Sequence, residues 1–119
     1  MKKLNESLVI EKKSKFIGYM YQIDNEEDVK IIIDELKTIH KKARHFCYAY
    51  KMGNLERKNE DKEPSNTAGK PILDVINYNN LDNTLIIVVR YFGGTLLGRG
   101  LLTRTYSKCA RLLLTNEKD

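Results

Sequence analysis

LIIVVRYFGGTLLGRG, Leu85 to Gly100, decides the fold. Its first five residues are apolar and rich in β-branched types, the pattern of a strand buried on both faces and so central to a sheet. Arg90 and Tyr91 leave that strand into a glycine-rich connection, with Gly93, Gly94, Gly98 and Gly100 falling within eight residues. Glycine at that density lets backbone approach another group closely or turn where a Cβ would clash. A last helix is expected from about Gly98. Leu102, Tyr106, Cys109 and Leu113 share one of its faces, and Arg104, Lys108 and Arg111 line the other.

Outward from that centre, Phe16 to Ile23 alternates Ile17, Tyr19, Tyr21 and Ile23 onto one face and reads as a strand. Ser7 to Glu11 is a weaker strand. Asp24 or Asn25 caps a helix over about Glu26 to Lys42, with acids in its first turn and Val29, Ile32, Ile33, Leu36 and Ile39 at helical spacing. His45 to Met52 alternates as a strand. Gly53 to Asn66 is polar, without periodicity, and reads as a long mobile or functional loop. Ser65, Asn66 or Thr67 caps a short helix through Ile72, Leu73, Val75 and Ile76, with Pro71 in its first turn. The expected order is β-β-α-β-α-β-α: an α+β domain of two layers, one sheet with helices on one face.

The chain has 119 residues, 41% hydrophobic and 31% charged, with 21 Lys+Arg against 16 Asp+Glu and a net charge of +5. This suits one domain over 1–119 and excludes a disordered tail. Leu85 to Val89 is far short of a bilayer span, and no apolar h-region follows the basic N-terminus. Cys47 and Cys109 make no disulfide scaffold, and with His40 and His45 they lack zinc-site spacing, so a reduced cytoplasmic protein without metal or cofactor is expected. Charge is segregated: Leu36–Leu55 and Leu85–Asn116 contain no acid. If these stretches share a surface, that surface attracts phosphate; otherwise the cations only solvate helix faces.

Two segments hold candidate chemistry. In the first, backbone N–H groups of Gly93, Gly94, Gly98 and Gly100, with Arg90, Arg99, Arg104, Lys108 and Arg111, form a candidate anion or nucleic-acid site. Neither G-x-G-x-x-G nor G-K-[ST] is present, and tight strand-to-helix packing explains the glycines equally well. In the second, DKEPSNTAGKP (Asp61 to Pro71), Asp61 and Glu63 form a carboxylate pair, with Ser65 or Thr67 as hydroxyl and Lys70 as anion clamp. Helix capping accounts for the same hydroxyls more simply. His45 is a candidate base and Cys47 a candidate nucleophile, though structural roles are commoner for both.

ARHFCYAYKMG (Ala43 to Gly53), DKEPSNTAGKPIL (Asp61 to Leu73) and RYFGGTLLGRGLLTRTY (Arg90 to Tyr106), with KKSKFIGY (Lys12 to Tyr19), resemble the blocks of the IMPACT/YigZ family in order and register. Lys62 and Asn66 stand where the family's second block usually has glycine, and Leu101 replaces the last glycine of the third. The resemblance implies a fold like the second domain of small-subunit ribosomal protein five and like elongation factor G domain four. It also implies a link to translation. The eukaryotic relative restrains an eIF-two-alpha kinase by binding that kinase's activator, and it carries an additional RWD domain. Bacterial members usually add a C-terminal ferredoxin-like domain, which is not expected within these residues. The leading expectation is a non-enzymatic binding module contacting RNA or a ribosome-associated partner through a basic face. The first alternative is a small enzyme on a phosphorylated or carboxylated metabolite, using His45, Asp61, Glu63, Ser65 and Thr67. The second is a protein-interaction domain using the sheet or the Asn54–Glu63 loop.

Overall fold

The computed structural model describes residues 1–114. Thr115 and Asn116, the last positions of the second acid-free stretch, lie outside them. The elements are β1 (Lys2–Glu11), β2 (Ser14–Gln22), α1 (Glu26–Ile39), β3 (His45–Met52), β4 (Leu55–Asn59), α2 (Gly69–Tyr78), β5 (Thr84–Tyr91) and α3 (Arg99–Leu112). The five strands form one antiparallel sheet in the order β1-β2-β5-β3-β4. The α+β class and the central place of β5 agree with the sequence.

Helices cover both faces, not one. Leu85, Ile87 and Val89 of β5 pack with Val29, Ile32 and Leu36 of α1. Ile86 and Val88 point the other way, into a core with Ile72 and Ile76 of α2 and Leu102, Tyr106 and Cys109 of α3. A strand apolar at every position requires cover on both sides, so the composition of β5 already implied three layers. A helix on one face alone would leave half of β5 in water at about 25 cal/mol per Å².

The expected long loop contains a strand, β4. Met52 pairs with Leu55 and Tyr48 with Asn59, and Gly53, at φ +61°, occupies the first position of the two-residue turn. That is the glycine position of a II′-type hairpin. β4 is an edge strand whose last four residues are exposed, so it has no buried face to impress an alternation on the sequence.

Helix boundaries also differ from the sequence reading. Asn25 caps α1, accepting the Asp28 N–H at 3.1 Å, but α1 stops at Ile39, before Lys42. Its C-cap, His40, is pinned between two tyrosines: Nε2 lies 2.7 Å from the Tyr19 hydroxyl and Nδ1 2.6 Å from that of Tyr91. The N-cap position of α2 is Ala68, with no side-chain cap from Ser65, Asn66 or Thr67. The Glu60 carboxylate takes that role, accepting the N–H groups of Ala68 at 2.9 Å, Gly69 at 2.7 Å, Asn66 at 3.2 Å and Lys70 at 3.3 Å. A negative charge there also meets the positive end of the helix dipole.

Two outcomes follow. Glu60→Ala strips this acceptor from partly buried donors and is expected to cost about 2 kcal/mol in urea unfolding. His40 is held below the usual histidine range by burial and, secondarily, by the Lys15 charge, against a smaller opposing pull from Glu6. The unfolded chain therefore binds the proton more readily, so His40 contributes stability in full above about pH 6.5, its unfolded value, and loses it as pH falls. The wild-type urea midpoint should drop between pH 7.5 and 5.5, and His40→Gln should flatten that dependence.

Candidate functional site

The antiparallel register sets His45 opposite Arg90 and Phe16 opposite Arg90, so three strands bring their ends together. The segment after β4 returns to the same place. The Asp61 carbonyl lies 2.7 Å from His45 Nδ1, and the Asp61 carboxylate accepts the Phe46 N–H at 2.6 Å. A carbonyl only accepts, so His45 donates from Nδ1 and directs Nε2 toward Glu63, whose Oε1 is 3.7 Å away.

Glu63 is the centre of the cluster. Its side chain is 3% exposed, and Arg90 Nη1 donates to Oε2 at 2.7 Å. The buried Tyr106 hydroxyl donates to the same oxygen. Arg90 Nη2 donates to Ser14 Oγ at 3.2 Å, and Ser14 Oγ also accepts the Gly93 N–H at 3.2 Å. Cys47 donates to the Tyr106 oxygen at 3.4 Å. Burial, above all, pushes both the Cys47 thiol and the Tyr106 hydroxyl well up. Both stay protonated at neutral pH, so Cys47 lacks the thiolate a nucleophile needs.

Above this cluster lies a cleft of about 140 Å³. The first block contributes Arg44 and His45, the second Glu63 and Pro64, and the third Arg90, Phe92, Leu96, Leu97 and Leu102. All three sequence blocks therefore meet at one place. Larger clefts, of about 320 Å³ between α1 and the β3–β4 hairpin and about 420 Å³ on the β1–β2 surface, contain no residue of the third block.

Other candidate residues have local duties. Thr67 is buried and its hydroxyl donates to the Pro64 carbonyl at 2.6 Å. Ser65 offers its carbonyl, 2.6 Å from Arg99 Nη2. Lys70 pairs with Asp74 one turn on, at 3.0 Å, and is no clamp for this cluster. Lys62 and Asn66 adopt φ +72° and +65°, the left-handed backbone that glycine enters freely, so the turns keep their path without it. A Cβ on Gly93 would lie 2.1 Å from the Lys13 carbonyl carbon; this glycine serves close packing. Gly94 turns at φ +93°, while Gly98 and Gly100 lie at the exposed start of α3.

The cations are distributed in two environments. Arg90 is buried and paired, so it is not part of a solvent-facing phosphate surface. Arg99, Arg104, Lys108 and Arg111 are exposed on α3. α1 and α3 cover opposite faces of the sheet, so Lys37 of α1 and the cations of α3 lie on different sides of it, while the two acid-free stretches adjoin along the β3–β5 ladder and the Arg44 guanidinium sits 4.7 Å from the Phe92 ring centroid. Sequence reasoning did not single out Glu60, Ser14 or Arg44 as functional. Arg44 was the findable one, since it stands beside His45 inside the first block. Among the described residues no group of three or more His, Cys, Asp or Glu is arranged to hold a metal, and no helix is long and apolar enough to cross a membrane.

The Impact N-terminal domain family matches residues 12–114. An IMPACT family member of Bacillus subtilis (strain 168), YvyE, is 38% identical over 111 residues, covering 91% of this chain and 51% of the relative. A crystal structure of a hypothetical protein superposes with a TM-score of 0.87 at 32% identity, over 97% of this chain and 59% of the other. The two-domain translational regulator Yih1 shares the fold, with a TM-score of 0.58 at 22% identity over 93% of this chain and 46% of that one. The chain thus spans about half the length of these proteins.

Removing one half of the buried ion pair strands the other. Arg90→Met is expected to cost about 3–5 kcal/mol or to prevent folding, whereas Glu63→Met with Arg90→Met recovers all but about 1–2 kcal/mol. Equilibrium unfolding of the single and double variants measures both.

Proposed function

The chain belongs to the IMPACT family, and from that premise we propose that it is a non-catalytic binding module in translation regulation, contacting RNA or a ribosome-associated partner through α3. One observation carries this reading. Arg99, Arg104, Lys108 and Arg111 are exposed on one helix, and none forms an ion pair among the described residues. Arg104, Lys108 and Arg111, spaced by four and three, project from one side of α3. Unneutralised cations on a rigid element suit phosphate oxygens, which give affinity with little sequence reading. The exposed start of α3, from Gly98 to Gly100, adds backbone donors at the positive end of the dipole. The likeness of fold to a two-domain translational regulator supports the biological setting. A ribosome-linked role implies the cytoplasm.

A catalytic reading, on a carboxylated or phosphorylated metabolite, has the convergence of His45, Glu63 and Arg90 in its favour. It is the weaker one. Glu63 and Arg90 are engaged with each other, Thr67 and Ser65 serve the backbone of a turn, and the Asp61 carboxylate caps β3. Half of the Asn54–Glu63 segment, considered as an interaction loop, is edge strand β4.

Fluorescence anisotropy with labelled structured RNA, single-stranded RNA and duplex DNA tests the α3 reading. Four phosphate contacts predict a slope of log K against log salt of about −2.8 on single strands and about −3.6 on duplex DNA. Arg99→Ala/Arg104→Ala should remove about half of that slope. Binding that ignores salt, or that the double variant leaves intact, would exclude α3 as the contact face.

A further inference from the structure

We propose that the cleft where the three blocks meet is a binding site for a carboxylate carried on a short apolar stem. This stands apart from the α3 reading and survives its failure. Size sets the first limit. At about 140 Å³, the cleft falls well below the roughly 300–1,000 Å³ of drug-sized ligand pockets and corresponds to about four or five waters of liquid volume. It takes a side-chain-sized group and excludes a nucleotide.

Charge sets the second. Among the residues that line the cleft, the two guanidinium charges of Arg44 and Arg90 stand against the one carboxylate of Glu63, an excess of one. A monoanion balances that excess, whereas a phosphate dianion would reverse it against a Glu63 side chain that is itself 3% exposed. The donors are of the planar, forked kind that matches a carboxylate. Arg44 is exposed and stacked on Phe92 at 4.7 Å, so its guanidinium is already oriented. Arg90 Nε is a buried donor with no hydrogen-bond partner among the described residues, in a guanidinium whose other two nitrogens are both engaged. A buried donor left over beside the cleft is a group that an added acceptor would satisfy.

The walls set the third. Leu96, Leu97, Leu102 and Pro64 close the remaining sides, and Leu96 is 85% exposed at the rim. An apolar stem between the carboxylate and the rest of the ligand would cover Leu96. The same chemistry is offered by a free short-chain acid and by a glutamate side chain of a partner protein.

Amide-proton NMR titration of the 119-residue chain separates the outcomes. Isobutyrate, isobutyramide, inorganic phosphate and a capped Glu-containing tripeptide are added at constant ionic strength. Isobutyrate or the peptide should give saturable shifts at Arg44, His45, Phe92 and Leu97, with the neutral amide at least about tenfold weaker, as loss of a charge-assisted hydrogen bond requires. Arg44→Gln should weaken the acid by about tenfold on the same basis. Leu96→Ser should weaken isobutyrate more than acetate, and Lys70→Gln should leave both unchanged. Arg44, Leu96 and Lys70 are all exposed, so their variants should keep the fold; a wild-type-like spectrum checks this. A stronger response to the peptide assigns the site to a partner's acidic side chain; a stronger response to the free acid assigns it to a metabolite. Absence of saturable shifts from both, equal shifts from phosphate, or shifts that persist in Arg44→Gln would overturn the proposal.

Discussion

A carboxylate removed from water must be matched by a cation and by hydrogen bonds, and the end of the sheet where the three blocks meet is arranged around one such carboxylate. Glu63 comes from the segment between β4 and α2, which brings few apolar side chains of its own. Its partners come from elsewhere: Arg90 from the end of β5, Tyr106 from the middle of α3 and His45 from the start of β3. Ser14, at the start of β2, holds Arg90 from the far side. One charge thus joins four elements and an otherwise polar turn. Buried ion pairs are weak contributors to net stability, because desolvation offsets most of the attraction. Their hydrogen-bond geometry is demanding, however, and only one docking of the turn satisfies Glu63, Arg90 and Tyr106 together. The close approach of Gly93 to the Lys13–Ser14 backbone belongs to the same arrangement, since it places the Gly93 N–H on the hydroxyl that supports Arg90.

What could be read in the sequence, and what could not, divides along physical lines. Apolar patterns that report burial were legible: β5 from its unbroken run, and α1 and α3 from helical spacing. The site residues His45, Glu63 and Arg90 were legible as members of motifs. Unreadable were features created by groups distant in sequence. Glu60 caps α2 from eight and nine residues away, a distance at which no capping box operates. His40 ends α1 because Tyr19 and Tyr91 hold its ring, and neither is a local stop signal. β4 was missed because an exposed edge strand has no buried face. The single-face placement of the helices was a different kind of error, because an unbroken apolar run in β5 is by itself incompatible with a sheet covered on one side.

Arg90 shows why a charge count misleads without burial. In the sequence it is one more cation of an acid-free stretch; in the fold its positive charge is cancelled by Glu63 at 2.7 Å. The cations of that stretch left exposed and without an ion pair among the described residues are Arg99, Arg104, Lys108 and Arg111 of α3. Exposed charges act over a Debye length of about 8 Å at physiological salt. Attraction by α3 is therefore long-ranged and salt-sensitive. A contact inside a small cleft lined by leucines and proline is short-ranged and much less screened, because water and salt are displaced from it.

These two surfaces meet at the start of α3. Arg99 begins the helix and donates to the Ser65 carbonyl, in the turn that also carries Glu63. The first residues of α3 are therefore fastened to the second block by a hydrogen bond, and Leu96 and Leu97, just before them, wall the cleft. A ligand that pressed on Leu96 would push on the segment that positions Arg99, while a partner drawing Arg99 away would release Ser65 from its bond. Residues 93 to 100 carry four glycines. Gly93 and Gly94 are demanded by packing and by φ, but Gly98 and Gly100 have space around them: among the described residues nothing lies near a Gly98 Cβ and only the Arg104 side chain lies near that of Gly100. Their smallness leaves the backbone at the head of α3 open to an approaching group, which is a property of the surface and not of the core.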